Sequence, residues 1–275
     1  MPKIIAHRGG SHDAPENTLA AFSLAWVRQA DGFECDIRKT GDGEIVCLHD
    51  ADTGRVGNGG GRKGRGVPVG TSTLAQLQAV DVGRWKGDAF AGQVPPSLGE
   101  ALQLVEPGKQ VFIEIKGRRG AGVAAMPGVL AALDASGLDP SQASILSFDT
   151  DVVRLAKQRR PEFTVNWLTR FKRVFGVGPW KPGIDKVVAT LRATGADGLG
   201  CKPTLQHVNE TFVARLREHG FGFHLWTVND PDIARRAIAL GVDSLTTDRP
   251  GFLREALLRG EPRPTRENQA GASPQ

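Results

Sequence analysis

KIIAHRGGSHDAPENTLAAF, residues 3–22, holds one complete folding unit. Lys3 to Ala6 is a short β-rich apolar run. His7-Arg8-Gly9-Gly10 follows, then a polar turn, then helical periodicity. A strand, a turn and a helix make half of a βαβ crossover. The alternation recurs down the chain. Strands are expected at 3–7, 32–38, 110–116, 143–148, 163–169, 197–201, 222–228 and 243–247. Helices are expected near 16–30, 73–80 with 98–106, 121–136, 149–159, 183–194, 208–219, 230–240 and 250–259. Strands that each lead into a helix run parallel, in an α/β barrel or an open doubly wound sheet. Eight repeats in 275 residues favour closure into a (β/α)₈ TIM barrel.

One connection breaks the rhythm. TGDGEIVCLHD, residues 40–50, turns at Asp42-Gly43 and continues extended over 44–49. The glycine-rich, irregular stretch 50–72 after it expands the second connection of a single domain spanning 1–259. The tail 260–275 lacks apolar periodicity and is expected to be disordered.

Hydrophobic residues make up 40% and charged residues 24%, enough for a sizeable core. The net charge is +5. The surplus gathers at Arg62, Lys63 and Arg65, and at Arg170, Lys172, Arg173 and Lys181. Such clusters are solvated loop charge or a lure for an anionic ligand. Nucleic acid is disfavoured, because no basic helix stripe or zinc spacing is present. Cys35, Cys47 and Cys201 have no paired spacing, so no disulfide framework is implied. No apolar run approaches the roughly 20 residues of a membrane span, and no leader opens the chain. A cytoplasmic location is expected. The sequence leaves the oligomeric state open.

Polar residues collect at the strand ends, where barrel enzymes place their chemistry. His7 and Arg8 end the first strand, Glu34 and Asp36 lie on the second, Glu114 and Lys116 on the third, and Trp226 on the seventh. His49 and Asp50 end the extension of the second. Strand side chains alternate, so Glu34 and Asp36 share one face while Phe33, Cys35 and Ile37 take the other. Phe112, Glu114 and Lys116 likewise oppose Val111, Ile113 and Ile115. Carboxylates converging inside a barrel mouth are costly unless a hard divalent cation joins them. Mg²⁺ comes first, with Ca²⁺ and Mn²⁺ as alternatives. His7 and His49 can supply one base and one acid, His7 the base and His49 the acid or the reverse. Arg8 and Lys116 add positive charge for a phosphoryl group. The set suits hydrolysis of a phosphodiester. Gly9 and Gly10 would keep bulk away from the cation and let the chain turn.

These residues lie in AHRGGSHDAPENTLAAF, GFECDIRKTGDGEIVCLHD, VPPSLGEAL, VFIEIK, ILSFD, HLWTVND and TTDRP, in order over about residues 4–250. Together they resemble the glycerophosphodiester phosphodiesterase family. The resemblance implies a TIM barrel, one divalent cation, and hydrolysis of a small glycerophosphodiester to sn-glycerol 3-phosphate and an alcohol. It places the catalytic pair on His7 and His49, the metal carboxylates on Glu34, Asp36 and Glu114, and the phosphate-binding cations on Arg8 and Lys116. Trp226 would line the glycerol or headgroup pocket. Glu16 and Asn17 open the first helix, and Asn17 either caps it or helps to orient Arg8 and the histidine. Residues 50–96 would correspond to the family's small insertion after the second strand, and they are glycine-richer and more basic than the family pattern, which puts the headgroup in question. A lysophospholipase D-type reaction is the nearest alternative. A barrel that binds glycerophosphodiesters without hydrolysing them is more remote.

Three further expectations follow. Loop 170–183, with Phe171, Phe175 and Trp180 among its basic residues, is an ordinary loop with buried aromatics, or else a lid or weakly lipid-touching edge. His224, two residues before Trp226, is a barrel-core histidine. His12 is a loop residue without a role.

Overall fold

The structure is a computed structural model that describes residues 1–58, 60, 66–117, 120–174 and 176–259. Arg62, Lys63, Arg65, Phe175 and the tail 260–275 lie outside the described residues. The strands are β1 (Lys3–Ala6), β2 (Gly32–Lys39), β3 (Ile45–Cys47), β4 (Gln110–Ile115), β5 (Ala143–Ser147), β6 (Thr164–Thr169), β7 (Lys172–Val174), β8 (Val177–Lys181), β9 (Gly198–Cys201), β10 (Gly222–Trp226) and β11 (Ser244–Thr247). The helices are α1 (Leu19–Val27), α2 (Leu74–Gln78), α3 (Leu98–Leu102), α4 (Ala121–Ser136), α5 (Thr150–Arg159), α6 (Ile184–Thr194), α7 (Glu210–Glu218), α8 (Pro231–Ala239) and α9 (Pro250–Arg259).

Eight strands pair in parallel in the order β1-β11-β10-β9-β6-β5-β4-β2, and β1 also pairs with β2. The ring is therefore closed. Period-2 alternation sorts its side chains as expected. Phe33, Cys35, Ile37, Val111, Ile113 and Ile115 join the large core between barrel and helices. Phe22 of α1 stacks on Phe33, with ring centroids 4.5 Å apart. Truncating Phe22 to alanine should cost about 3–5 kcal/mol. Ile5, Phe112, Leu146 and Leu168 fill the interior, with Trp226 packed against them.

β3 runs antiparallel to the end of β2, with Ile37 opposite Cys47. Val56, Val69, Leu77, Val80 and Val82 of the insertion then pack with Val46 and Leu48, at β3, into a second small core. Gly9 has φ +78°, and a Cβ there would meet the Ala21 backbone at 2.4 Å. The glycine lets the chain turn, as expected. The bulk it avoids belongs to α1, not to a cation site.

The segment 170–183 is not a plain loop, because β7 and β8 pair antiparallel as a hairpin. Phe171, only 7% exposed, packs edge-on against His207 at 4.7 Å and Phe212 at 5.5 Å. It is consumed by packing against His207 and α7, so Phe171 is not available to touch lipid.

Candidate active site

β2 carries Glu34 and Asp36, and the parallel register sets Asp36 opposite Glu114 on β4. One oxygen from each of these three carboxylates lies within 4.8 Å of the others. Close buried carboxylates repel one another. Two cations compensate part of the charge. Lys116 Nζ sits 2.8 Å from Asp36 and 2.5 Å from Glu114. Arg8 Nε lies 2.9 Å from Asp36. Burial alone would raise the Asp36 carboxyl, but Lys116 and Arg8 hold it well below the usual carboxylate range. Glu34 goes the other way: burial and the Asp36 charge push it up to about 8. Burial and Asp36 also raise Glu114. Glu34 Oε2 accepts the Arg8 backbone N–H at 2.9 Å, while its buried Oε1 has no hydrogen-bond partner. Surplus negative charge, an all-oxygen donor set and one orphaned oxygen fit a hard divalent cation.

Each histidine is backed by an aspartate. His7 Nδ1 lies 2.6 Å from Asp248 Oδ1, which leaves Nε2 on the Glu34 side, 4.0 Å from Oε2. Ser11 donates to the same Asp248 oxygen at 3.0 Å, and Asn229 donates to the other at 2.6 Å. His49 Nδ1 lies 3.0 Å from Asp50 Oδ1. Burial would lower His7, but the Asp248 hydrogen bond and the Glu34 charge raise it above its ordinary value. Burial lowers His49, helped by Arg8 and Lys116 and opposed by Asp36 and Asp50. The two imidazoles are thus biased in opposite directions.

Asn17 does not cap the first helix. Thr18 does, its hydroxyl accepting the Ala21 N–H at 3.2 Å. Asn17 sits at φ +55° and grips Asp36 twice. Its Nδ2 donates to Oδ2 at 3.1 Å, and its Oδ1 accepts the Asp36 N–H at 3.0 Å. Glu16 accepts from Arg8 Nη1 at 2.8 Å. Arg55, from the insertion, donates to both Glu16 oxygens at 2.9 and 2.6 Å, and through Nε to Asp50 at 2.6 Å. One chain of contacts therefore runs from Arg8 through Glu16, Arg55 and Asp50 to His49.

Trp226 meets Phe148 edge-on at 5.4 Å. The cleft beside Phe148 holds about 700 Å³ and is lined by His49, Lys116, Arg38, Phe148, Arg170 and Lys172, among others; Trp226, half-buried, touches Phe148 and is not itself among the lining residues. His12 stays at the surface, 3.8 Å from Asp13, outside the cleft. His224 is partly buried within the barrel, 2.8 Å from the Ser244 hydroxyl, as expected of a core histidine.

The structure brings His7, Arg8, Glu34, Asp36, His49, Glu114 and Lys116 to one mouth of the barrel, as the strand-end reading predicts. The sequence reading missed the roles of Asp248 and Arg55. Asp248 directly follows β11, so the strand-end rule would have found it. Arg55 lies in a glycine-rich connection and carries no such signal.

The sequence pattern of the glycerophosphoryl diester phosphodiesterase family matches residues 7–252. The chain belongs to this family. A glycerophosphodiester phosphodiesterase of Caldanaerobacter subterraneus is 30% identical over 262 residues, covering 94% of this chain and 98% of its own. One from Bacillus subtilis is 27% identical, covering 90% and 83%. Among solved structures, an Oleispira antarctica phosphodiesterase in complex with the product sn-glycerol-3-phosphate superposes with a TM-score of 0.79. It is 24% identical, covers 94% of this chain and 97% of its own, and supports the shared barrel fold. Among the described residues of this family member, no helix is long and apolar enough to cross a membrane.

Proposed function

We propose that the chain hydrolyses glycerophosphodiesters to sn-glycerol 3-phosphate and an alcohol, with His7 and His49 as the proton-transfer pair. The observation that carries this reading is the meeting of two aspartate-backed histidines at the rim of one surplus-charged carboxylate cluster. Glu34, Asp36 and Glu114 would hold one divalent cation. Bound there, the cation would supply positive charge for the phosphoryl oxygens.

The protein groups do the rest. Asp248 fixes the His7 ring through Nδ1, and Asp50 fixes the His49 ring in the same way. One imidazole takes the proton of the attacking hydroxyl, and the other returns a proton to the leaving alkoxide. His7 is the base and His49 the acid, or the two roles are exchanged. Arg8 and Lys116 hold the equatorial phosphate oxygens. The attacking hydroxyl belongs to water or to the neighbouring carbon of the glycerol. A trapped cyclic glycerophosphate would identify the second.

The test is release of sn-glycerol 3-phosphate from simple glycerophosphodiesters with Mg²⁺, Ca²⁺, Mn²⁺ or EDTA. EDTA-sensitive turnover is expected. Folded protein without such turnover on any diester sinks the reading, and turnover confined to lysophospholipids moves it to the lysophospholipase D type.

A further inference from the structure

Beyond the carboxylate cluster, the cleft carries more positive charge than its own acids neutralise. Arg38 donates from Nε and Nη2 to the His49 carbonyl oxygen, at 3.0 and 2.7 Å. That bond holds the guanidinium in place without cancelling its charge, and the Asp36, Asp50, Glu114 and Asp52 carboxylates act on it only from beyond ion-pair distance. Arg170 and Lys172 line the same wall. Among the described residues, no carboxylate forms an ion pair with Arg38, Arg170 or Lys172. The cleft's own acids are engaged elsewhere. Asp50 is held by Arg55 and His49. Glu114 is held by Lys116. Asp149 caps α5 by accepting the Asp151 N–H at 2.9 Å. Uncancelled cations on a concave wall draw in an anion and repel a cation.

A second observation agrees. Phe148 and Trp226 form an edge-on aromatic pair of the sort that receives a quaternary ammonium. Here the place is taken. The Arg170 guanidinium lies 5.1 Å from the Phe148 centroid and 5.5 Å from the Trp226 centroid. A choline group would have to displace a fixed positive charge from these rings and then lie beside it.

We propose that this wall selects diesters by their alcohol moiety. Arg38, Arg170 and Lys172 favour glycerophosphodiesters whose alcohol carries a further phosphate or carboxylate, and Arg170 on its aromatic pair disfavours quaternary ammonium headgroups. The inference rests on the phosphodiesterase reading and refines its substrate class.

Three substrates of similar size test it: glycerophosphocholine, bis(glycero)phosphate, and the same diester bearing a terminal phosphate on its alcohol. For the wild-type protein, kcat/KM on the phosphate-bearing diester should exceed that on glycerophosphocholine by about tenfold or more. Arg170→Gln should cut this ratio by about tenfold, and Lys172→Gln should cut it in the same direction. Equal or better turnover of glycerophosphocholine overturns the inference. So does a large ratio that neither substitution changes. Calorimetric binding of the same three diesters to EDTA-treated protein separates this inference from the catalytic reading. If nothing is hydrolysed but the phosphate-bearing diester binds about tenfold tighter than the choline diester, the wall is as described and the catalytic reading fails. Absence of that preference in both turnover and binding overturns the inference.

Discussion

Arg55 and Glu16 meet fork to fork, with both guanidinium ends on both carboxylate oxygens at 2.9 and 2.6 Å. The pair ties the insertion to the first loop of the barrel. Because Arg55 also holds Asp50, and Glu16 also holds Arg8, the clamp sets the position of groups on both sides of the cleft.

A lysine cannot reproduce that bidentate geometry. Arg55→Lys should therefore lower kcat by about tenfold or more through loss of alignment. The thermal midpoint should move only slightly, because the charge is kept. Arg55→Ala should lower both. Wild-type kcat in Arg55→Lys would show that Arg8 and His49 hold their places without the clamp.

Asp248 raises His7 by hydrogen bond and by charge. Asp248→Asn removes the charge, so His7 should titrate at lower pH than in the wild type. The limb of the pH–rate profile that belongs to His7 then moves to lower pH. Movement of the acidic limb identifies His7 as the base, and movement of the alkaline limb identifies it as the acid. A profile that only drops, with both limbs in place, would remove His7 from the proton-transfer pair.

Glu34 is repelled by Asp36 and by Glu114, and one of its oxygens has no partner. Glu34→Gln keeps an acceptor for the Arg8 N–H while deleting the repelled charge. In EDTA the variant should be as stable as the wild type, or more stable by about 1–2 kcal/mol. Added Mg²⁺, Ca²⁺ or Mn²⁺ should raise the wild-type melting temperature but not that of the variant. Equal stabilisation of both proteins by the cation would take Glu34 out of the ligand set.

His224 has its titration pushed down to about 4, first by burial, with Asp243 opposing. A histidine ordinarily titrates near 6.5. Between those values the unfolded chain binds a proton that the folded chain refuses. Stability should therefore fall as pH drops from about 6.5 towards 4, and above that window His224 should contribute no pH dependence. Unfolding free energies from urea titrations at pH 7.5 and 5.0 should differ more in the wild type than in His224→Gln, by about 1 kcal/mol. Identical pH dependence in the two proteins would contradict the assignment.

Alternation along β2 and β4 could be read without coordinates, and with it the inward facing of Glu34, Asp36 and Glu114. A strand side chain has only two faces, and one of them was plainly apolar. The closed barrel was legible for a similar reason, since repeated strand–helix units leave few ways to bury both element types. What the helix opening does was not legible. Asn17 and Thr18 are both competent caps, and only the packed loop shows that Thr18 takes the helix while Asn17 takes Asp36. Nor was the hairpin at 172–181, whose short strands Lys172–Val174 and Val177–Lys181 have no apolar alternation to betray them. Arg55 is the extreme case. Its 39 residues of separation from Glu16 carry no periodicity, so only chain closure in three dimensions could pair them. Local pattern decided which faces turn inward. Long-range contact decided which charged groups hold one another, because ion-pair partners depend on distance in space and not on spacing along the chain.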